Sequence, residues 1–163
     1  CWEIALKSEN TPSAIALSRQ KVPYINPDNS KDNKCEKGAY IIKITSHENK
    51  VTLVASGTEV ELALRVQKKL YENNIHSKVV SMPCMELFDR QSEDYRKDIL
   101  DNNTLIVTLE AGSIMSWQKY IKDKGLNLGI DKFGESAPFK EVYNHFKLSE
   151  ESVTDFIQKK LRE

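Results

Sequence analysis

Ile75–Asp89 reads IHSKVVSMPCMELFD, and this stretch decides the fold. The β-branched pair Val79-Val80 marks a strand, Pro83 stops it, and Met85–Asp89 turns toward a helix. A little upstream, Ala55–Glu61 reads ASGTEVE. This is a strand end, a turn at Gly57 and a helix start, with Thr58 as expected N-cap and Glu61 completing a capping box. On the helix that follows, Val60, Ala63, Leu64, Val66 and Leu70 share one broad apolar face. Asn73-Asn74 ends it. The two stretches together spell a β-α-β unit.

Working outward, Val51–Ala55 (VTLVA) is the first strand of that unit and Ala39–Ile44 (AYIIKI) precedes it. The short polar link His47–Lys50 predicts that these two strands form an antiparallel hairpin. Downstream, Ser92–Leu100 reads as a helix capped by Ser92. Thr104–Leu109 (TLIVTL) is a continuous apolar run, suited to a parallel strand covered on both faces. Gly112-Ser113 turns into a helix through Trp117, Tyr120 and Ile121. Leu126–Ile130 is a last short strand, and Phe139–Phe146 and Ser152–Leu161 are helices. The expected class is α/β: a three-layer α/β/α open mixed sheet of about five strands, one of them antiparallel.

The first residues read differently. Trp2–Ser8 is helical, with Trp2, Ala5 and Leu6 on one face, Thr11-Pro12 stops it, and Ala14–Leu17 reads as a strand. Lys21–Lys37 carries Pro23 and Pro27 among Lys, Asp and Asn, a linker composition too long for a loop inside a compact domain. The expected division is 1–20 as the tail of a preceding domain, 21–37 as linker and 38–163 as a second domain. The chain opens Cys1-Trp2-Glu3-Ile4 without Met or a signal sequence, so it reads as an interior piece of a longer protein.

Lys plus Arg and Asp plus Glu both number 24 in 163 residues. A balanced charge predicts neither nucleic acid nor an acidic membrane surface as partner. No apolar run approaches the ~18 residues of a membrane span. The three cysteines, Cys1, Cys35 and Cys84, lie far apart and form no CxxC pair or zinc-type cluster with His47, His76 or His145. Reduced thiols in a cytoplasmic protein are expected. Cys84, after Pro83 at a strand exit, is a candidate nucleophile without a recognisable base.

Three loops are candidate sites. Ser56-Gly57-Thr58-Glu59 leads from strand to helix, where backbone N–H groups either hold a phosphate or serve the cap. It lacks the P-loop Lys-Ser/Thr and the three glycines of a dinucleotide fingerprint. Glu110-Ala111-Gly112-Ser113 repeats this geometry at the next parallel strand. Glu110 is the best-placed carboxylate, with Glu86 or Asp89 as its expected partner in any paired-carboxylate chemistry. Gly129–Pro138 (GIDKFGESAP), with Asp131 and Phe133, is either a plain connection or a loop that meets another domain. Arg19, in LSRQ after the apolar run 14–17, offers a planar guanidinium that pairs with a surface carboxylate or grips a phosphate.

Five pieces in order, Pro12–Gln20 (PSAIALSRQ), Ala55–Glu59 (ASGTE), Val79–Asp89 (VVSMPCMELFD), Glu110–Ser113 (EAGS) and Gly129–Pro138 (GIDKFGESAP), give the chain a resemblance to the C-terminal part of the transketolase family. The resemblance implies a homodimeric enzyme that transfers a two-carbon ketol unit between sugar phosphates in the pentose phosphate pathway. It implies thiamine diphosphate with Mg2+ or Ca2+ held by domains upstream, and none bound by this chain. Arg19 matches the family's sugar-phosphate arginine. No catalytic and no metal-binding residue is assigned here, and the piece alone is expected to be an inactive scaffold. Its expected partners are the upstream domains and the second subunit. The alternative is a regulatory or anion-binding module of another thiamine-diphosphate enzyme.

Overall fold

The computed structural model describes residues 1–25, 32–121 and 125–163. Five strands, β1 (Tyr40–Ile44), β2 (Val51–Ala55), β3 (Ser77–Ser81), β4 (Leu105–Leu109) and β5 (Leu126–Leu128), form one sheet in the order β1-β3-β2-β4-β5. β2 runs parallel to both β3 and β4, β4 parallel to β5, and β1 antiparallel to β3. The α/β expectation and its single antiparallel strand therefore hold.

Alternation along β2 builds the layers, since successive side chains point to opposite faces. Val51, Leu53 and Ala55 join Val79, Val107 and Leu109 on one face. There they meet α2 (Glu59–Glu72) through Val60, Ala63, Val66 and Leu70, and α6 (Glu150–Lys160) through Val153 and Ile157. Val54, Val80 and Ile106 point the other way. They pack on α3 (Met85–Asp89) through Phe88, on α4 (Glu93–Ile99) through Ile99, and on the 3-10 turn Met115–Tyr120 through Trp117 and Tyr120. α5 (Phe139–His145) lies on the first face, with Tyr143 packed against that core.

Several predicted details change. β1 and β2 do not form a hairpin: β3 lies between them. The link after β1 steps over one strand, with Thr45 N–H donating to Ser77 O at 3.1 Å and Lys50 N–H to His76 O at 2.9 Å. Burial explains the order. β3 is buried along its whole length and takes an inner place, whereas β1 exposes Lys43 and Ile44 and takes the rim. The register of β1 slips between Ile41 and Lys43, a bulge on that outer strand. Ser92 does cap α4, accepting from Tyr95 N–H at 3.3 Å. Thr58 caps nothing. Its backbone is already helical (φ −64°, ψ −28°), and its hydroxyl donates to Glu59 Oε1 at 2.7 Å. The helix after Gly112 is the 3-10 turn Met115–Tyr120.

The N-terminal segment stands apart from these layers. α1 (Trp2–Lys7) forms as predicted, but Ala14–Leu17 joins no sheet among the described residues. A strand needs a ladder partner, and this one has none among the described residues. Residues 26–31 of the predicted linker lie outside the described residues. Its far end, Lys34–Lys37, is a 3-10 turn that stops at Gly38. Gly38 has φ 78°, and a Cβ there would sit 2.2 Å from Phe88 N and 2.4 Å from Cys84 O. Only glycine lets the chain enter β1 so close to the α3 turn.

Candidate functional site

β2 and β4 are neighbours whose chains part to opposite faces: β2 leads to α2 on one side, β4 to the Met115–Tyr120 turn on the other. Such a parting opens a crevice at the strands' carboxyl ends, where open α/β sheets keep their chemistry. Ser56 follows β2 there, and Glu110 follows β4.

Glu110 is the hub. Its backbone N–H donates to Leu128 O at 3.0 Å, fixing it beside β5. Its Oε2 accepts from the Trp117 indole N–H at 3.1 Å and from the Ser56 hydroxyl at 3.4 Å. Glu59, the first residue of α2, is only 4% exposed. Its Oε1 accepts from Thr58 and from the Tyr143 hydroxyl, which ties α5 to the start of α2. Burial raises the Glu110 carboxyl above its ordinary range, and the nearby Glu59 adds to the shift. The Trp117 and Ser56 bonds oppose it. Burial and the bond to Glu59 push the Tyr143 hydroxyl up to about 12.

The partner predicted for Glu110 was Glu86 or Asp89, and neither comes to it. Glu86 is exposed and accepts from the Cys84 thiol at 3.5 Å. Asp89 accepts from Lys119 at 2.5 Å and from the Tyr120 hydroxyl at 2.8 Å, which tie α3 to the 3-10 turn. The acid whose charge acts on Glu110 is instead Glu59. Its place in the SGTE turn carried no sign of burial, since a first-turn glutamate is ordinarily solvated and favoured by the helix dipole.

The Ser56–Glu59 turn does not suit a phosphate. The N–H groups of Glu59, Val60 and Glu61 already donate to Ser56 O, Gly57 O and Thr58 O at 3.1–3.4 Å. The two carboxyls beside them also repel an anion. The turn therefore offers a poor seat for a diphosphate, and among the described residues no group of three or more His, Cys, Asp or Glu stands at metal-holding distance. For Cys84 as a nucleophile, no histidine partner appears among the described residues: His76 meets the Tyr71 ring and His145 the Phe146 ring.

The Gly129–Pro138 loop is anchored at its base and free at its tip. Asp131 Oδ1 accepts from the Ser113 hydroxyl at 2.9 Å and Ile114 N–H at 3.0 Å, and Ile130 N–H donates to Gly112 O at 2.7 Å. Beyond that, Phe133 is 97% exposed and borders a shallow groove with Ile114, Met115 and Ile130. Arg19 lies exposed in a bend of the N-terminal segment. The structure thus brings Glu110 together with Ser56 of the Ser56–Glu59 turn, and Arg19 is an exposed residue of the N-terminal segment. No described helix is long and apolar enough to cross a membrane.

Comparison with known proteins agrees with this architecture. Residues 38–149 match the family described as the transketolase-like TK C-terminal domain. A transketolase from Rhodobacter capsulatus is 39% identical over 158 residues, which is 93% of this chain and 24% of that protein. A transketolase variant from Pichia stipitis superposes with a TM-score of 0.89 at 30% identity, covering 99% of this chain and 23% of that one. A Pichia stipitis transketolase in complex with sedoheptulose-7-phosphate superposes at 0.79 and 30% identity, over 88% of this chain and 20% of that one. The chain thus spans about a quarter of the length of the transketolases it matches. With this profile match and the mixed five-stranded sheet beneath it, the chain belongs to the transketolase C-terminal domain family.

Proposed function

We propose that this chain is the C-terminal region of a transketolase that moves a two-carbon ketol unit between sugar phosphates of the pentose phosphate pathway. One observation carries the reading: the match to a transketolase runs over 93% of this chain yet takes up 24% of that enzyme. In this reading residues 1–20 end a middle domain, 21–37 link, and 38–163 pack against the upstream domains and the second subunit of a cytoplasmic homodimer. The start of the matched region at Gly38 supports that division. Thiamine diphosphate with Mg2+ or Ca2+ belongs to the upstream domains, and this region supplies scaffold. Its one substrate contact is Arg19, whose guanidinium grips the sugar phosphate by charge-assisted hydrogen bonds. The sugar phosphate in the Pichia complex supports that ligand class.

The test is Arg19→Ala in the full-length enzyme. The apparent KM for sugar phosphates should rise about tenfold, the worth of a lost charge-assisted contact, while unphosphorylated hydroxypyruvate is spared. An equal effect on both substrates rejects the phosphate role. The 163-residue chain alone should neither turn over sugar phosphates nor release heat when titrated with thiamine diphosphate and Mg2+. Micromolar binding overturns the scaffold assignment.

A further inference from the structure

The loop after β5 holds its exposed ring on a stiff base. Gly129 lies so close to the preceding turn that a Cβ there would sit 2.5 Å from Ile114 Cγ2 and 2.8 Å from Gly112 O. The Asp131 bonds to Ser113 and Ile114, and the Ile130 bond to Gly112, fasten the same stretch. The backbone that enters the tip at Phe133 is thus fixed. A fixed anchor gives up little freedom on docking, so its apolar area is available for binding.

What covers it follows from the shape and charge beside it. Phe133 projects into solvent, and it borders the groove lined by Ile114, Met115 and Ile130. A projecting ring next to an apolar hollow is half of a self-complementary pair. A two-fold axis between two copies carries each ring to the hollow of the other. The groove's rim also holds both signs of charge, in Asp131 and Lys132. Across a two-fold axis the acid of one copy meets the base of the other, whereas a partner of one sign meets a like charge. The two bonds of Asp131 given above run to Oδ1, which leaves Oδ2 to face that base.

We propose that two copies of this chain pair across a two-fold axis at the Gly129–Pro138 loop, each Phe133 seated in the other copy's groove of Ile114, Met115 and Ile130. The pairing deepens the homodimer of the proposed function and rests on that reading for its place in the enzyme. An aromatic ring covers about 150–250 Å², against roughly 800 Å² per partner in a stable interface of standard size. The loop by itself therefore gives a weak, reversible dimer, to which the rest of a full-length subunit adds.

Sedimentation equilibrium of the 163-residue chain from micromolar to millimolar concentration should show a reversible monomer–dimer equilibrium. Phe133→Ser should weaken it about tenfold or more, as for an aromatic anchor. It should leave the melting temperature of the dilute monomer unchanged, because the ring is exposed. Met115→Ser, on the groove side, should weaken the dimer as well. Lys132→Glu should weaken it at low salt, with the loss shrinking as salt screens the rim. Leu6→Ser, at an exposed apolar residue of α1, should leave it unchanged. A chain that stays monomeric at millimolar concentration, open-ended association, a dimer indifferent to Phe133→Ser, Met115→Ser or Lys132→Glu, or one broken by Leu6→Ser overturns the pairing. None of these readouts needs ketol transfer. A failed pairing leaves the Arg19 test standing, and a failed transketolase reading leaves the dimer measurable.

Discussion

Residues 1–25 and the sheet domain handle their apolar side chains in opposite ways. In the domain Leu53, Leu70, Val107, Phe88 and Trp117 are almost fully enclosed between sheet and helices. In the first segment Trp2 is 65% exposed, Leu6 81%, Leu17 76% and Tyr24 90%. Among the described residues, a bond from the Asn33 amide to Glu3 Oε2 at 2.8 Å and the packing of Ile25 on the first core tie that segment to the rest. The difference teaches that stability resides in the domain alone. The segment's apolar surface is what it offers to other polypeptide, which in the proposed enzyme is the middle domain.

Changing the hinge between the two regions gives the largest effect. Gly38→Ala places a methyl group against backbone atoms of Cys84 and Phe88 at a left-handed φ. It should cost roughly 3 kcal/mol or more, read as a large drop in the chemical-denaturation midpoint. A near-neutral result breaks the claim that only glycine fits the domain entrance. Within the domain, Tyr143→Phe removes one of the two donors to buried Glu59 and should cost about 1–3 kcal/mol by the same measurement.

Next comes pH. The raised Glu110 carboxyl means the folded chain binds its proton more tightly than the unfolded chain. The associated stability is present in full below about 4.5, the unfolded value, and is lost as pH rises through the folded value. Thermal melts of Glu110→Gln and the parent should therefore diverge upward in pH, the variant gaining by a few degrees near neutrality. Curves that stay parallel break the sign. Deleting residues 1–24 should have the smallest effect. The denaturation midpoint should stay within about 0.5 kcal/mol of the parent, as for changes at exposed positions. A large loss erases the contrast between the regions.

Local signals explain what could be read in advance. The strand Val51–Ala55, the stripe Val60, Ala63, Val66 and Leu70, and the Ser92 cap each depend on neighbours a few residues away, and each appears as read. Strand order does not work that way. That β3 rather than β2 pairs with β1 is decided by which strand has both faces to bury, and only the assembled layers settle it. The site divides along the same line. The turns at Gly57 and Gly112 and the placing of Glu110 were legible because they end obvious strands. The burial of Glu59 was not, because it depends on Tyr143 folding back from a helix far along the chain.

The rims of the sheet have one more consequence. At one side the bulge between Ile41 and Lys43 breaks the hydrogen-bonding rhythm and turns Lys43 outward; at the other β5 is only three residues long. Neither rim is a template on which a foreign strand can zip. Both features blunt the edge-to-edge pairing that would join copies of this domain side by side.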